Sequence, residues 1–99
     1  MAVVFLTITP IGTATPSVSR YVAGVHRILR RSGLVHELTA MGTIIEGDLD
    51  EILHVVRAMH EAPFAAGAAR VSTLIKIDDR RDKPSTMAGK VRSVETKLG

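Results

Sequence analysis

The sequence predicts an α+β fold of the ferredoxin-like type, in which two helices cover one face of an antiparallel four-stranded sheet. Segments with strand-like alternation and segments with helical spacing follow one another in the order β-α-β-β-α-β, and one further helix ends the chain. The 99 residues have an ordinary apolar share of 45%, enough for one core. Residues 1–99 are therefore expected to form a single domain.

The first strand and the first helix are predicted from a turn-rich junction between two apolar segments. The strand is expected from about Val3 to Thr9 and should be closed by Pro10. The helix should take Thr15 as its N-cap and Pro16 as its first residue, because proline lacks the N–H that is unpaired at that position. Apolar residues at three- and four-residue spacing give this helix one core-facing side, and Gly33 ends it.

The middle of the chain predicts a hairpin followed by a helix. Strands are expected from about Val35 to Ala40 and from Thr43 to Gly47, and Met41-Gly42 between them indicates a tight hairpin. The second helix opens at Asp48, with Glu51 three residues on, as in a capping box.

The second helix is followed by one more strand and one more helix. Pro63 is expected to lie beyond the end of the second helix, because proline interrupts helical hydrogen bonding. The last strand should run from Val71 to Ile77 and the third helix from about Thr86 to Leu98. The apolar residues that recur at helical spacing are Ile52, Leu53, Val55, Val56 and Met59 in the second helix, and Met87, Val91, Val94 and Leu98 in the third.

Alternation along the strands sorts side chains between a helix-covered face and an open face of the sheet. The covered face is expected to hold Val4, Leu6, Ile8, Val71, Thr73, Ile75 and Ile77. The open face is expected to hold Val3, Phe5, Thr7, Thr9, Ser72, Leu74 and Lys76, together with Val35, Glu37, Thr39, Met41, Ile44 and Glu46 from the hairpin. This mixture of apolar and polar groups predicts that subunits pack there, alone or around a small-ligand pocket.

Glu46 is the most unusual residue of the predicted sheet, since a charge inside a strand costs free energy unless something pairs with it. One interpretation makes it the counter-charge of a cationic ligand that also contacts the hydroxyls of Thr7, Thr9 and Thr39. The other makes it structural, paired across the sheet with Lys76 or Arg70. The sequence leaves both open.

Composition and spacing favour a binding protein over other classes. The absence of cysteine excludes disulfides and thiolate chemistry, no G-x-S-x-G elbow is present, and the four histidines have no i,i+4 pair that would favour a metal site. The net charge is +3, but the basic residues are scattered along the chain. The chain has only three aromatic residues on which bases could stack, so nucleic-acid binding is not favoured. A start without a basic leader and the lack of a long apolar run predict a soluble cytoplasmic protein that does not enter membranes.

The charged run from Asp78 to Asp82 follows the last predicted strand directly. Alternating charges of this kind are typical of a self-paired, solvated turn or of a salt-bridge patch between subunits.

Three stretches of the chain carry a resemblance to a known family. They read Gly42-Thr43-x-x-Glu46-Gly47-Asp48 with Asp50-Glu51-Ile52, then Arg70-Val71-x-Thr73-x-Ile75-Lys76-Ile77-Asp78-Asp79-Arg80-Arg81-Asp82, then Lys90-Val91-x-Ser93-Val94. Together they resemble the small thiamine-binding proteins of bacteria and archaea, which share the fold of YkoF-type proteins. The resemblance implies a ferredoxin-like subunit that assembles through its sheets into dimers and tetramers. It also implies non-catalytic binding of thiamine or its hydroxymethylpyrimidine half, with no cofactor.

The resemblance also implies site residues. By their position in the shared strand motif, Thr43 and Glu46 are expected to contact the ligand, and sheet geometry adds Thr9, Ser17 and Thr39. A half-buried carboxylate beside hydroxyls suits both the fixed positive charge of thiamine and its aminopyrimidine. The alternative function is a regulatory or structural homo-oligomer with another small ligand or none.

Overall fold

The computed structural model describes residues 1–12, 19–82 and 86–99. The elements in this part of the chain are β1 (Ala2–Ile11), α1 (Ser19–Ser32), β2 (Val35–Leu38), β3 (Thr43–Gly47), α2 (Leu49–Ala65), β4 (Arg70–Asp79) and α3 (Met87–Leu98). The strands form an antiparallel sheet in the order β2-β3-β1-β4, which confirms the ferredoxin-like fold predicted from the sequence. No helix within the described ranges has the length and apolar character needed to cross a membrane.

β1 is longer than predicted, and the expectation that Pro10 closes it is wrong. β1 pairs with β4 along the whole of Ala2–Ile11, but it pairs with β3 only as far as Leu6, which lies opposite Thr43. Beyond Leu6 no described strand lies on the β3 side of β1. A residue without an N–H therefore fits there, because proline is tolerated where a strand has a free edge.

The β2–β3 connection is also longer than the tight hairpin expected at Met41-Gly42. β2 ends at Leu38, and the four residues 39–42 make the turn. The Thr39 N–H donates to the Gly42 carbonyl at 2.8 Å and closes it. Gly42 is required here because a Cβ at this position would lie 2.5 Å from Cζ of Phe5.

Two of the three helix starts can be compared with the predictions. The predicted cap Thr15 and first residue Pro16 lie outside the described residues. Before α2, the Asp48 carboxylate accepts from the Glu51 N–H at 3.2 Å, which confirms the predicted cap. Thr86 caps α3, as its hydroxyl accepts from the Gly89 N–H at 3.0 Å.

The helix ends follow local chain chemistry. Gly33 follows α1 with φ of +76°, a conformation that favours glycine, and so ends the helix as predicted. The prediction that Pro63 lies beyond α2 is wrong, because Pro63 is buried within the last turn of the helix. Its carbonyl accepts from the N–H of Ala66 at 3.1 Å and of Ala68 at 2.9 Å, so the chain closes over the end of the helix.

The core lies between the sheet on one side and the two helices α1 and α2 on the other. It contains Val4 and Leu6, which alternation placed on the covered face of β1, and Ile45, which alternates with the open-face residues of β3. Its apolar members are Ala2, Val4, Leu6, Val25, Leu29, Ile45, Ile52, Val56 and Met59. Removal of these side chains from water is the main stabilising contribution to the fold.

α3 begins on the face opposite α1 and α2, a placement that the sequence did not predict. The Glu46 carboxylate accepts from the Met87 N–H at 2.7 Å, and the Lys90 ammonium pairs with Asp78. Register places Glu46 and Asp78 opposite Val3, on the open face of the sheet. The residues that the structure describes leave most of α3 uncovered, and the more than half-exposed apolar residues along it are Val91, Val94 and Leu98.

Candidate functional site

A cavity of about 260 Å³ opens at the end of the sheet where β3 begins at Thr43 and where β1 extends past it. Its walls come from β1, from α1 and from the β2–β3 connection, and Met59 of α2 contributes at its base. The described lining contains no lysine, arginine, aspartate or glutamate. A volume near the lower end of the range for small-molecule sites and an uncharged lining suit a compact, neutral heterocycle.

The free edge of β1 supplies main-chain polar groups to this cavity. A Cβ built on Gly42 would lie 3.0 Å from the Leu6 oxygen, so the Leu6 carbonyl points toward the β3 side. In a strand the N–H and C=O of every second residue point the same way, so those of Ile8 also face this side, beyond the end of β3. Ile8 therefore offers one donor and one acceptor next to the cavity.

Thr43 and His26 form a hydrogen-bonded pair in the cavity wall. Thr43 is only 6% exposed, and its Oγ1 lies 3.0 Å from Nε2 of His26 on α1. Burial lowers the pKa of His26, and the nearby His36 and Arg30 lower it further, so the ring is neutral at neutral pH. A hydroxyl has one donor and two acceptor positions, so Thr43 keeps hydrogen-bonding capacity for a ligand.

His26 is a cavity-lining polar side chain that the sequence predictions did not include. It lies four residues after Val22, which also lines the cavity, so helical spacing from a core-stripe residue was the available signal. The histidine of such a stripe is easily assigned to packing alone, because the threonine that meets it is on a distant strand.

Thr39 and Thr9, two of the three other threonines that line the cavity, differ in the hydrogen-bonding capacity that their hydroxyls have left. Thr39 Oγ1 donates to the Gly42 carbonyl at 2.8 Å and accepts from the N–H groups of Gly42 at 3.1 Å and Met41 at 3.3 Å. All its capacity is used, so Thr39 shapes the wall. The Thr9 hydroxyl is exposed and makes no hydrogen bond within the described part of the chain.

The predicted site residues therefore divide between two places. Thr9, Thr39 and Thr43 line the same cavity, whereas Glu46 lies on the other side of the sheet. The separation follows from strand geometry, since residues three apart in one strand point to opposite faces. Ser17 lies outside the described residues.

Glu46 occupies a cleft between the sheet and the start of α3. Register places it between Val3 on β1 and Val35 on β2, whereas Lys76 lies opposite Phe5. The alternative prediction, that Glu46 pairs with Lys76 or Arg70 across the sheet, is therefore wrong about the partner residue. The carboxylate instead accepts from the Met87 N–H, where the positive end of a helix dipole favours an anion.

The charged run from Asp78 to Asp82 begins inside β4, which continues to Asp79 and not only to the predicted Ile77. The run is paired within itself, as predicted, and also with α3. Arg80 bonds Asp82 at 2.6 Å and Arg81 bonds Asp79 at 2.8 Å. The hydrogen bond from Arg81 lowers the pKa of the Asp79 carboxyl. These groups are exposed, so each pair contributes little to stability. Within the described ranges no group of three or more histidine or carboxylate side chains is arranged to hold a metal ion.

Comparison of the sequence with protein families and curated proteins gives consistent matches. A family model described as "Thiamine-binding protein" matches residues 4–95. The UPF0045 protein YqgV of Bacillus subtilis is 50% identical over 102 residues, covering 99% of this chain and 98% of the relative. A UPF0045 protein of Methanothermobacter thermautotrophicus is 45% identical and covers 94% of this chain and 95% of its own.

Solved structures match the fold. A hypothetical protein from Methanocaldococcus jannaschii superposes with a TM-score of 0.85 at 36% identity and covers 95% of each chain. A protein of Thermotoga maritima assigned to thiamine biosynthesis or salvage gives a TM-score of 0.78 at 18% identity, with 94% of this chain and 97% of that chain covered. At that identity the second likeness concerns the fold alone.

Proposed function

Because this chain belongs to the thiamine-binding protein family, we propose that it binds thiamine or its hydroxymethylpyrimidine half and carries out no chemistry on it. The proposed site is the cavity beside the free edge of β1. The observation that carries the proposal is the pair formed by buried Thr43 and half-buried His26, which lines an uncharged cavity.

The chemistry of the cavity matches that of an aminopyrimidine. Such a ring presents a donor on its exocyclic amine and acceptors on its ring nitrogens, and its faces are apolar. Thr43 and the main chain of Ile8 supply donors and acceptors, and Val22 and Met41 supply apolar contacts at the mouth. Thr9, which is exposed at the same edge, is suited to contact the part of a ligand that projects from the cavity.

The remaining predicted site residues take different roles in this proposal. Thr39 holds the β2–β3 connection in place and acts on the ligand through the shape of the wall. Glu46 anchors α3 and does not serve as the counter-charge of a ligand in this cavity. Ser17 stays a sequence prediction.

Self-assembly of the chain is proposed from the surface that α1 and α2 leave uncovered. Leu74 on the open face of β4 and Val35 on β2 are 56% and 57% exposed, and α3 adds its apolar residues beside them. Apolar surface of this kind favours association between subunits. A purely structural homo-oligomer is therefore the second candidate function, and sedimentation of the purified chain at several concentrations tests the association itself.

Isothermal titration with hydroxymethylpyrimidine, thiamine and a panel of amino acids tests the binding function. We expect heat from at least one of the first two ligands and a roughly tenfold loss of affinity in Thr43→Val, which keeps the shape and removes the hydroxyl. Thr73→Val is the matched control, because Thr73 bonds His60 at 2.6 Å in the same way but does not line the cavity. No heat from either thiamine compound, with heat from an amino acid, would favour a different ligand.

A further inference from the structure

His26 is the titratable side chain in the described lining of the cavity. It contacts the threonine proposed to hold the ligand, at 3.0 Å, and it comes from a different element, α1. A group in this position influences both the charge and the hydrogen-bonding direction of the site.

We infer that His26 determines the ligand selectivity of this cavity. As a neutral imidazole bonded to Thr43 it admits the ligand, and as an imidazolium it disfavours a cationic ligand. This inference rests on the proposed function and adds the pH regulation of the same site.

Protonation of His26 would add a positive charge next to other basic groups, and this charge would act on a bound ligand. The groups that face it are Arg30, one turn further along α1, and His36 on β2, whose ring centre lies 6.3 Å from that of His26. The described lining has no carboxylate to neutralise an added charge. An imidazolium here would therefore repel a thiazolium through a partly desolvated space, where charges interact more strongly than in water. The lowered pKa of His26 is consistent with these surroundings.

The hydrogen bond between His26 and Thr43 gives protonation a second effect. When Nε2 is unprotonated, the Thr43 hydroxyl donates to it and turns both lone pairs toward a ligand donor such as an exocyclic amine. When the ring carries both protons, Nε2–H must donate to Thr43, and the hydroxyl hydrogen turns toward the ligand. Protonation thus uses one of the two acceptor positions of the hydroxyl and turns its donor toward the ligand, which suits an amine less well.

Titrations of thiamine and hydroxymethylpyrimidine at about pH 8 and about pH 5.5 test the inference on three proteins, namely wild type, His26→Gln and His60→Gln. The wild type should lose about tenfold more affinity for thiamine on acidification than His26→Gln does, because an amide does not titrate. For hydroxymethylpyrimidine, which lacks the fixed charge, the difference between wild type and His26→Gln should be smaller, and this comparison cancels the protonation of the pyrimidine ring itself. His60→Gln should lose as much affinity on acidification as the wild type does. His60 also bonds a threonine, Thr73, but this pair lies away from the cavity. An equal loss in wild type and His26→Gln would overturn the inference.

Histidine NMR of the wild type provides a measurement that does not depend on a folded variant. If the ligand prefers the neutral ring, saturation with thiamine must lower the pKa of His26 by linkage. An unchanged His26 titration in the thiamine complex would also overturn the inference, with thiamine binding itself left intact. Absence of binding by both compounds at pH 8 would instead reject the proposed function and this inference together.

Discussion

The two sides of β3 differ in chemistry although their key residues are neighbours in sequence. On one side Thr43 is buried against His26 and borders an uncharged cavity. On the other side Glu46 meets the N-terminus of α3 beside the charged pair of Lys90 and Asp78. A single short strand thus carries a candidate ligand group and a helix anchor, which shows that two residues of one family motif need not serve one site.

The largest expected effect on stability comes from a substitution at Gly42, in the turn before β3 that contacts residues of both faces of the sheet. In Gly42→Ala the new methyl would overlap the Phe5 ring on the open face and press on the Leu6 carbonyl on the cavity side. We expect a loss of about 1–3 kcal/mol in the free energy of unfolding, measured by urea titration, together with loss of ligand binding. Gly24→Ala in α1 is the control, because no described atom outside the helix backbone lies within 4 Å of the added Cβ. This variant should be as stable as the wild type or more stable, since alanine favours a helix over glycine. Equal stability of the two variants would show that the turn is not tightly packed.

The next effect separates the two sides by binding. Thr43→Val should weaken hydroxymethylpyrimidine binding by about 1–1.5 kcal/mol, because the ligand loses its hydroxyl partner and the His26 ring loses one as well. Calorimetry on Glu46→Gln should show an unchanged affinity. A loss confined to Glu46→Gln would reverse the assignment of the two sides.

Glu46→Gln should act on α3. The amide keeps an acceptor for the Met87 N–H but loses the charge that favours a helix N-terminus, at a cost of about 0.5–1 kcal/mol. Amide hydrogen exchange should therefore accelerate in the first turn of α3 and stay unchanged in α1. Unchanged exchange at Lys90 would mean that Glu46 does not hold this helix.

Acid should weaken the cavity side through His26. Its pKa is lowered in the folded state, so its contribution to stability is complete above the ordinary value of 6.5 and is lost as the pH falls from there through the folded pKa. The unfolding free energy of the wild type should therefore fall more steeply below about pH 6.5 than that of His26→Gln. Parallel pH profiles of the two proteins would contradict this.

The smallest effect is expected from the exposed ion pair on the α3 side. Lys90→Ala removes the partner of Asp78, and both side chains are about half exposed. Pairs of this kind contribute roughly 0–1 kcal/mol and are screened by salt, so urea unfolding should barely change in Lys90→Ala, and high salt should reduce the small difference further. A loss comparable with that of Gly42→Ala would show that α3 is a central part of the fold.

Much of the fold was predictable because its signals are local. Alternation in β1 and β3, the cap at Asp48 and the glycine after α1 each act within a few residues, and each was confirmed. Pro10 and Pro63 were misjudged because tertiary context decides whether a missing N–H matters. Pro10 lies on an edge that β3 leaves free, and Pro63 is buried in a final helical turn.

The candidate site was predictable only in part, because it combines residues that are far apart in sequence. Thr9 and Thr39 were predicted from sheet geometry and Thr43 from its position in the shared motif, and all three line one cavity. His26 was missed because its partner Thr43 lies on another element, and Glu46 was grouped with Thr43 although alternation separates them. Placement of α3 over Glu46 depends on contacts between distant segments, which no local pattern reports.

The most direct test of the account is an amide chemical-shift titration of the ¹⁵N-labelled chain with hydroxymethylpyrimidine. The account predicts that the largest shifts occur at Ile8, His26 and Thr43, around the cavity, and that the amides of Glu46 and Met87 stay nearly unmoved. Shifts concentrated at Glu46 and the start of α3, with Thr43 unaffected, would contradict it.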